Sequence, residues 1–237
     1  MKRFWTTTQT TKTNDGFGIE LDGRAVRTPA KTPLVVPTQA LADMIAAEWQ
    51  AQDGKIDPTT MPATRMANAA IDKVAHQFDG VAEMIAAYGD SDLLCYRATS
   101  PVELIDRQAN KWDPLLDWAH ETLNARLVPV SGIMHRPQDQ AALGRLAAQV
   151  HALTPFELSA FHDLVAISGS LIIGFAVAKG LADQQELWEA ACLDEIWQEE
   201  QWGRDDDAYA LRQRKKQDFF DAGHFFRACM PRHTDRI

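Results

Sequence analysis

Cysteine is scarce in this chain: three residues, Cys95, Cys192 and Cys229, among 237. They are odd in number, far apart in sequence and form no CxxC pair. That excludes a disulfide framework and a thiolate zinc site, and it suits a reducing compartment. Catalytic and nucleotide signatures are missing as well. There is no GxxxxGK[ST] and no GxGxxG after a strand. None of the seven histidines stands in an HExxH, HxxxH or ExxH pair, which a metal site in a helical bundle would need. "SGSLIIG" misses the GxSxG elbow and lies in an apolar run. Positive charge is short too, with 24 Lys and Arg against 33 Asp and Glu and a net charge of −9. Phosphate backbones need clustered cations, so nucleic acid is excluded as a partner, and a neutral or basic protein surface is the better electrostatic match.

Long hydrophobic runs are also lacking. The most apolar stretch, Leu164 to Ala178, is about 15 residues long and is interrupted by Ser168, Gly169, Ser170 and Gly174, whereas a membrane span needs about 20. It reads as one or two buried core helices. The opening "MKRFWTTTQTTKTNDG" has a short basic start but no apolar core, and it is not an Arg/Ser-rich helical leader either. The expectation is a soluble, cytoplasmic protein with no stable membrane insertion.

What is present is an ordinary folding composition, 46% hydrophobic, enough for one large domain or two modest ones. The first 37 residues read as β structure. "FWTTTQT" is β-branched and aromatic, "NDG" is a turn, "FGIEL" alternates, and Asp22-Gly23 is a two-residue hairpin signal before "RAVRT". "TPAKTPLVVP" is a short strand fenced by prolines, which suits an edge. From Thr38, a plausible N-cap, the period turns helical. Helices are expected from about Pro62 to Phe78 and from about Val81 to Tyr88. "LLCYRA" and "RLVPVSGI" read as internal strands that rejoin the first sheet. Between them, Ser100, Pro101 and Glu103 read as a capping box opening a long helix that Pro114 should kink. Beyond His135 the chain reads as helices at about 138–151, 155–168, 170–179, 184–202 and 206–221. The fold class is therefore α+β, a small antiparallel sheet with helices followed by an all-helical part. The domains read as 1–135 and 136–237, or with a boundary near 55 if the internal strands stay out of the sheet.

Two acidic motifs have structural readings. "DSD" (Asp90 to Asp92) could hold a divalent cation, but reads more simply as a turn before "LLCY". "DDD" (Asp205 to Asp207) opens a helix that ends in "RQRKK", the order that the helix dipole favours. Trp49 and Trp112 have core spacing. Four phenylalanines in "FFDAGHFF" either dock on the body or leave a partly open apolar patch.

The stretch "LDEIWQEEQWG", residues 193 to 203, is harder to place. On one continuous helical wheel over 186–202, Glu195 falls among Trp188, Cys192 and Trp202, inside an apolar stripe, while Asp194 falls on a polar strip. A carboxylate in that position is a structural ion pair, a catalytic acid of raised pKa, or part of a partner-binding face that is open in the free protein. The first and third are the stronger readings.

Four blocks carry a resemblance: "RAVRTPAKTPLVVPTQALADMIAAEWQAQ", "GKIDPTTMPATRMANAAID", "DLLCYRATSPVELIDRQANKWDPLLDWA" and "LDEIWQEEQWG". Together they resemble the F1-ATPase assembly chaperone family whose mitochondrial members bind the alpha subunit of the ATP synthase head. The resemblance implies a non-enzymatic function, that of a protein that holds free alpha against aggregation until beta displaces it; no cofactor or metal is expected, and the expected oligomeric state is a monomer. The missing leader points to a bacterial member. The family's critical acid would be Asp194 or Glu195, and the wheel prefers Glu195. Its sensitive tryptophan would be Trp49. The candidate partner-binding set is Glu195, Asp194, Trp188, Trp202 and Glu199. The rivals are an acidic-site enzyme that uses Glu195, Glu199 and "DSD" with a metal, and a permanent structural subunit of another complex.

Overall fold

The two turn signals near the N-terminus fold as read. In the computed structural model, which describes residues 2–230, β1 (Thr8–Thr13) and β2 (Gly16–Leu21) pair antiparallel with Thr13 opposite Gly16, so Asn14 and Asp15 make the turn. Gly16 is required there: a Cβ would stand 2.3 Å from the Val36 carbonyl oxygen. β3 (Arg24–Ala25) returns along β2 with Leu21 opposite Arg24. The connecting Asp22 and Gly23 have φ of 47° and 76°, both positive, as this two-residue hairpin turn demands. β4 (Val35–Val36) pairs with the other end of β2 and is the short proline-fenced edge.

By its internal contacts the chain forms two units. The first comprises Met1–Phe78, Thr154–Ala160 and Asp221–Ile237, and the second Asp79–Leu153 and Phe161–Phe220. In the first, α1 (Gln39–Ala51) packs on β1 and β2 and buries Leu41 and Ile45 in a core that also holds Ile19, Leu34 and Val36. Thr38 caps α1: its hydroxyl oxygen accepts the Leu41 amide at 3.2 Å and donates to the Ala228 carbonyl. Next to α1, α2 (Pro62–Asp72) ends six residues earlier than the periodicity suggested, where a 3₁₀ turn at Val74–His76 leads into α3 (Phe78–Ala86).

In the second unit the internal strands do not rejoin the sheet. After a 3₁₀ turn at Leu93–Cys95, β5 (Tyr96–Arg97) pairs in parallel with β6 (Val130–Ser131). Each strand is two residues long, because the apolar residues that suggested a longer strand, Leu94 and Cys95, are buried in the 3₁₀ turn instead. The capping box does not form either. α4 (Val102–Leu123) begins one residue later than expected, so Pro101 occupies the cap position and no side chain caps the helix. Trp112, Leu115 and Leu116 of α4 are buried, and the Trp112 indole N–H donates to the Ala190 carbonyl at 2.8 Å.

The remaining helices are α5 (Gln140–His151), α6 (Pro155–Ser168), α7 (Leu171–Lys179), α8 (Gln184–Ala191), α9 (Leu193–Trp202) and α10 (Asp206–Cys229). The apolar run splits into two helices as expected, at Gly169 with φ 70°, and Ser170 caps the second. Every residue from Leu171 to Val177 is buried. α10 runs past the expected end at 221; Phe219, Phe225 and Phe226 are all buried, so the C-terminal phenylalanines dock. The fold is α+β. Among the described residues, no helix is long and apolar enough to cross a membrane.

Candidate functional site: an acidic and aromatic groove beside α9

The single helix expected over 184–202 is two. Cys192, with φ −103° and ψ 19°, breaks it, and α9 starts on a new register. A continuous wheel therefore misplaces every residue beyond the break. Trp188 is 4% exposed, with its ring centroid 5.5 Å from that of Phe219. Trp202, assigned to the same buried stripe, is 80% exposed. It is the last residue of α9, and Gly203 with φ 91° turns the chain away, so no further helical turn covers the indole.

Between α8, α9 and the start of α10 lies an open groove of about 500 Å³. Trp188 and Cys192 line its floor, and Glu195, Glu199 and Trp202 line its α9 wall, facing Tyr209 and Arg212 of α10. Four of the five sequence-predicted residues thus meet in one cavity. The fifth, Asp194, lines a smaller neighbouring cavity of about 220 Å³ that Glu195 also borders.

The two adjacent acids have different surroundings. Asp194 is half-buried and accepts a hydrogen bond from the Gln108 side-chain nitrogen at 2.8 Å, while the Gln108 oxygen accepts the Ala98 amide at 2.8 Å. Gln108 is itself buried, so this chain of bonds ties α9 to α4 and to the residue after β5. Glu195 is exposed, and it has no hydrogen bond and no ion pair among the described residues. Its charge is felt below: burial first, and then the Glu195 carboxylate, push the Cys192 thiol up to about 12.

The structural ion pair that the sequence reading offered for Glu195 belongs to Glu199, one turn further along the same face. Glu199 pairs with Arg212, whose guanidinium lies 5.4 Å from the Tyr209 ring centroid. Nearby, Arg107 of α4 grips Glu200 at 2.5 and 2.9 Å and lies 5.7 Å from the Trp197 ring centroid. That bidentate bond raises the Arg107 pKa and lowers the Glu200 pKa. Sequence reasoning missed Arg212, Tyr209 and Gln108. Gln108 acts from a helix 86 residues away in sequence, and Arg212 and Tyr209 come from the next helix, so no motif within α9 marks them.

The other flagged motifs are structural. Asp92 is wholly buried and caps the 3₁₀ turn through the Leu94 amide at 3.0 Å. Asp90 accepts the Gln138 amide at 2.7 Å and lies 3.3 Å from His135 Nε2. Asp205 accepts the Ala208 amide at 2.9 Å and opens α10. Among the described residues, no three His, Cys, Asp or Glu side chains gather as metal ligands. Trp49 is partly buried, with its ring centroid 5.3 Å from that of Trp5. Its neighbour Glu48 caps α2 from α1 by accepting the Ala63 and Thr64 amides at 2.6 and 2.8 Å.

Residues 2–120 match the family model of the ATP12 chaperone protein. The chain belongs to the ATP12 chaperone family. This is a family of F1-ATPase assembly chaperones, as the four sequence blocks indicated. The mitochondrial protein atp12 of Schizosaccharomyces pombe is 27% identical over 224 residues, covering 89% of this chain and 76% of that protein. The crystal structure of Atp12 from Paracoccus denitrificans superposes with a TM-score of 0.94 at 46% identity, covering 97% of this chain and 98% of that one. A solved mutant of the Paracoccus protein, in which lysine replaces an aspartate, gives 0.94 at 45% identity over the same shares of the two chains. The last two matches span the groove as well as the N-terminal sheet.

Proposed function

We propose that this ATP12 family member holds the free alpha subunit of F1-ATPase and releases it to beta, with the α8–α9–α10 groove as a contact surface. The observation that carries the reading is Glu195, an unpaired carboxylate in an open groove whose rim holds an 80% exposed tryptophan. An exposed large aromatic beside an unsatisfied charge is what a binding hot spot looks like before its partner arrives. Asp194 has a bond to keep within the fold; Glu195 has none, so it is free to meet a basic group on alpha. Trp202 and Glu195 make the contact, Glu199 and Asp194 hold the wall of the groove, and Trp188 supports its floor. Covering the interface surface of alpha keeps it from associating with itself. The chain acts without catalysis or cofactor, as a monomer in the cytoplasm.

The test is retention of separately expressed F1 alpha and beta subunits on the immobilised protein, wild type and Glu195→Gln. Wild type retains alpha and gives it up when beta is added, and the variant retains about tenfold less. Because Glu195 makes no bond in the fold, the two proteins should unfold at the same denaturant concentration. If neither retains alpha, the partner is wrong; if the variant retains it equally well, the residue is wrong.

A further inference from the structure

Three carboxylates of α9 each have an aromatic ring nearby, from α9 itself or from α10, and two of these pairings hold an arginine. Glu200 and Trp197 hold Arg107, bound bidentately at 2.5 and 2.9 Å with its guanidinium 5.7 Å from the indole centroid. Glu199, with Tyr209 across the groove, holds Arg212, whose guanidinium is 5.4 Å from the ring centroid. In the third pairing, Glu195 and Trp202 are seven residues apart. They lie within about 20° of one another around the helix and about 10 Å apart along it, and they line the same groove. No cation from the described residues pairs with Glu195. Lys215 also lines the groove but makes no ion pair with it.

We infer that the third pairing takes an arginine side chain from the partner, its guanidinium bound to Glu195 and lying on the Trp202 ring. The inference deepens the alpha-subunit reading and rests on it for the identity of the partner. The group itself is named by the two filled pairings. A planar, weakly hydrated guanidinium can lie on a ring and present its N–H edge to a carboxylate at once, and the more strongly hydrated ammonium of lysine matches this geometry less well. Glu195 and Trp202 stand at the two ends of the α9 wall of the groove, with Gln198 and the Arg212-bound Glu199 between them. The exposure of Trp202 is accounted for as well: the ring is left open because the cation that covers it comes from outside.

The test titrates two acetylated tripeptide amides, acetyl-Leu-Arg-Leu-amide and acetyl-Leu-Lys-Leu-amide, into the full chain and follows the tryptophan indole NMR signals. The arginine peptide should shift the Trp202 signal saturably and bind about tenfold more tightly than its lysine twin. Glu195→Gln and Trp202→Ala should each weaken the arginine peptide about tenfold, and Trp202→Phe should keep most of the binding. Equal affinity for the two peptides, no binding of either, or full arginine binding by Glu195→Gln would overturn the inference. The same proteins are then offered F1 alpha. Retention of alpha without discrimination between the peptides removes the arginine and leaves the client. Discrimination without retention of alpha keeps the arginine site and removes the client.

Discussion

Ser170 donates its hydroxyl hydrogen to the buried carboxylate of Asp92 at 2.8 Å, although the two residues are 78 apart in sequence. The same carboxylate accepts the amides of Leu94 at 3.0 Å and Ile172 at 3.1 Å. One side chain thus closes the 3₁₀ turn before β5 and the N-terminus of α7, whose residues 171–177 are all buried. Burial raises its pKa from 3.8 to about 6, against the pull of its hydrogen bonds.

Stability should therefore depend on pH through Asp92. The folded protein binds this proton more tightly than the unfolded chain does. The contribution is complete below the unfolded value of 3.8 and is lost as pH rises through about 6. Asp92→Asn turns an NH₂ group toward a backbone or hydroxyl donor and should cost about 1–3 kcal/mol near neutrality. The advantage of wild type over the variant should grow by about 1 kcal/mol between about pH 7.5 and about pH 5. Urea midpoints at the two pH values measure it; a difference that does not change with pH refutes the assignment.

Glu48, partly buried on α1, should matter for stability through α2. α2 has Met61 at its cap and Pro62 at its first position, so it supplies no side-chain cap of its own. Glu48 provides one from α1, through the Ala63 and Thr64 amides and the Thr64 hydroxyl, the last at 2.6 Å. Desolvation raises its pKa even so. Glu48→Ala should cost about 1–2 kcal/mol, as the loss of a cap does. It should be non-additive with Thr64→Ala, because the two residues share one set of bonds. Strict additivity in denaturant unfolding would show that they do not act together.

What the sequence made legible was local. The Asp22-Gly23 turn, the Thr38 cap and the division of the apolar run at Gly169 follow from φ preferences and periodicity within a few residues. What it hid depends on distant partners or on one altered dihedral pair. The wheel drew Glu195 and Trp202 onto a buried stripe because it ran straight through Cys192, and nothing in "EAACLDEI" announces that break. It singled out Glu195 as a carboxylate on a buried stripe, whereas the residue is exposed and makes no hydrogen bond or ion pair among the described residues. The ion pair expected of it falls to Glu199, because Arg212 comes from α10. Leu94 and Cys95 looked like strand residues because burial in a 3₁₀ turn and burial in a strand draw on the same side chains.

Alanine at two helical glycines should move stability in opposite directions. At Gly174 in α7, a Cβ would stand 2.6 Å from Val165 Cγ2 and 3.2 and 3.3 Å from the Phe161 ring. Both neighbours are fully buried, and the Phe161 ring is already committed to Phe175, with centroids 4.8 Å apart. The absence of a side chain is what lets α7 approach this part of α6 so closely. Gly144 in α5 is exposed, has ordinary helical φ, and a Cβ there would meet nothing within 4 Å. Alanine is the better helix former by about 1 kcal/mol at either position. At Gly144 that gain stands alone, so Gly144→Ala should stabilise by about 0.5–1 kcal/mol. At Gly174 it is opposed by overpacking of a close-packed core, which costs about 1–3 kcal/mol or more when backbone must shift. Gly174→Ala should therefore be destabilising by about 1–2 kcal/mol net. Truncating the obstructing side chain, as in Gly174→Ala with Val165→Ala, should cost less than the sum of the two single changes. Denaturant midpoints for the four proteins decide it, and a stabilising Gly174→Ala would mean that α6 and α7 are not packed as closely as the 2.6 Å approach requires.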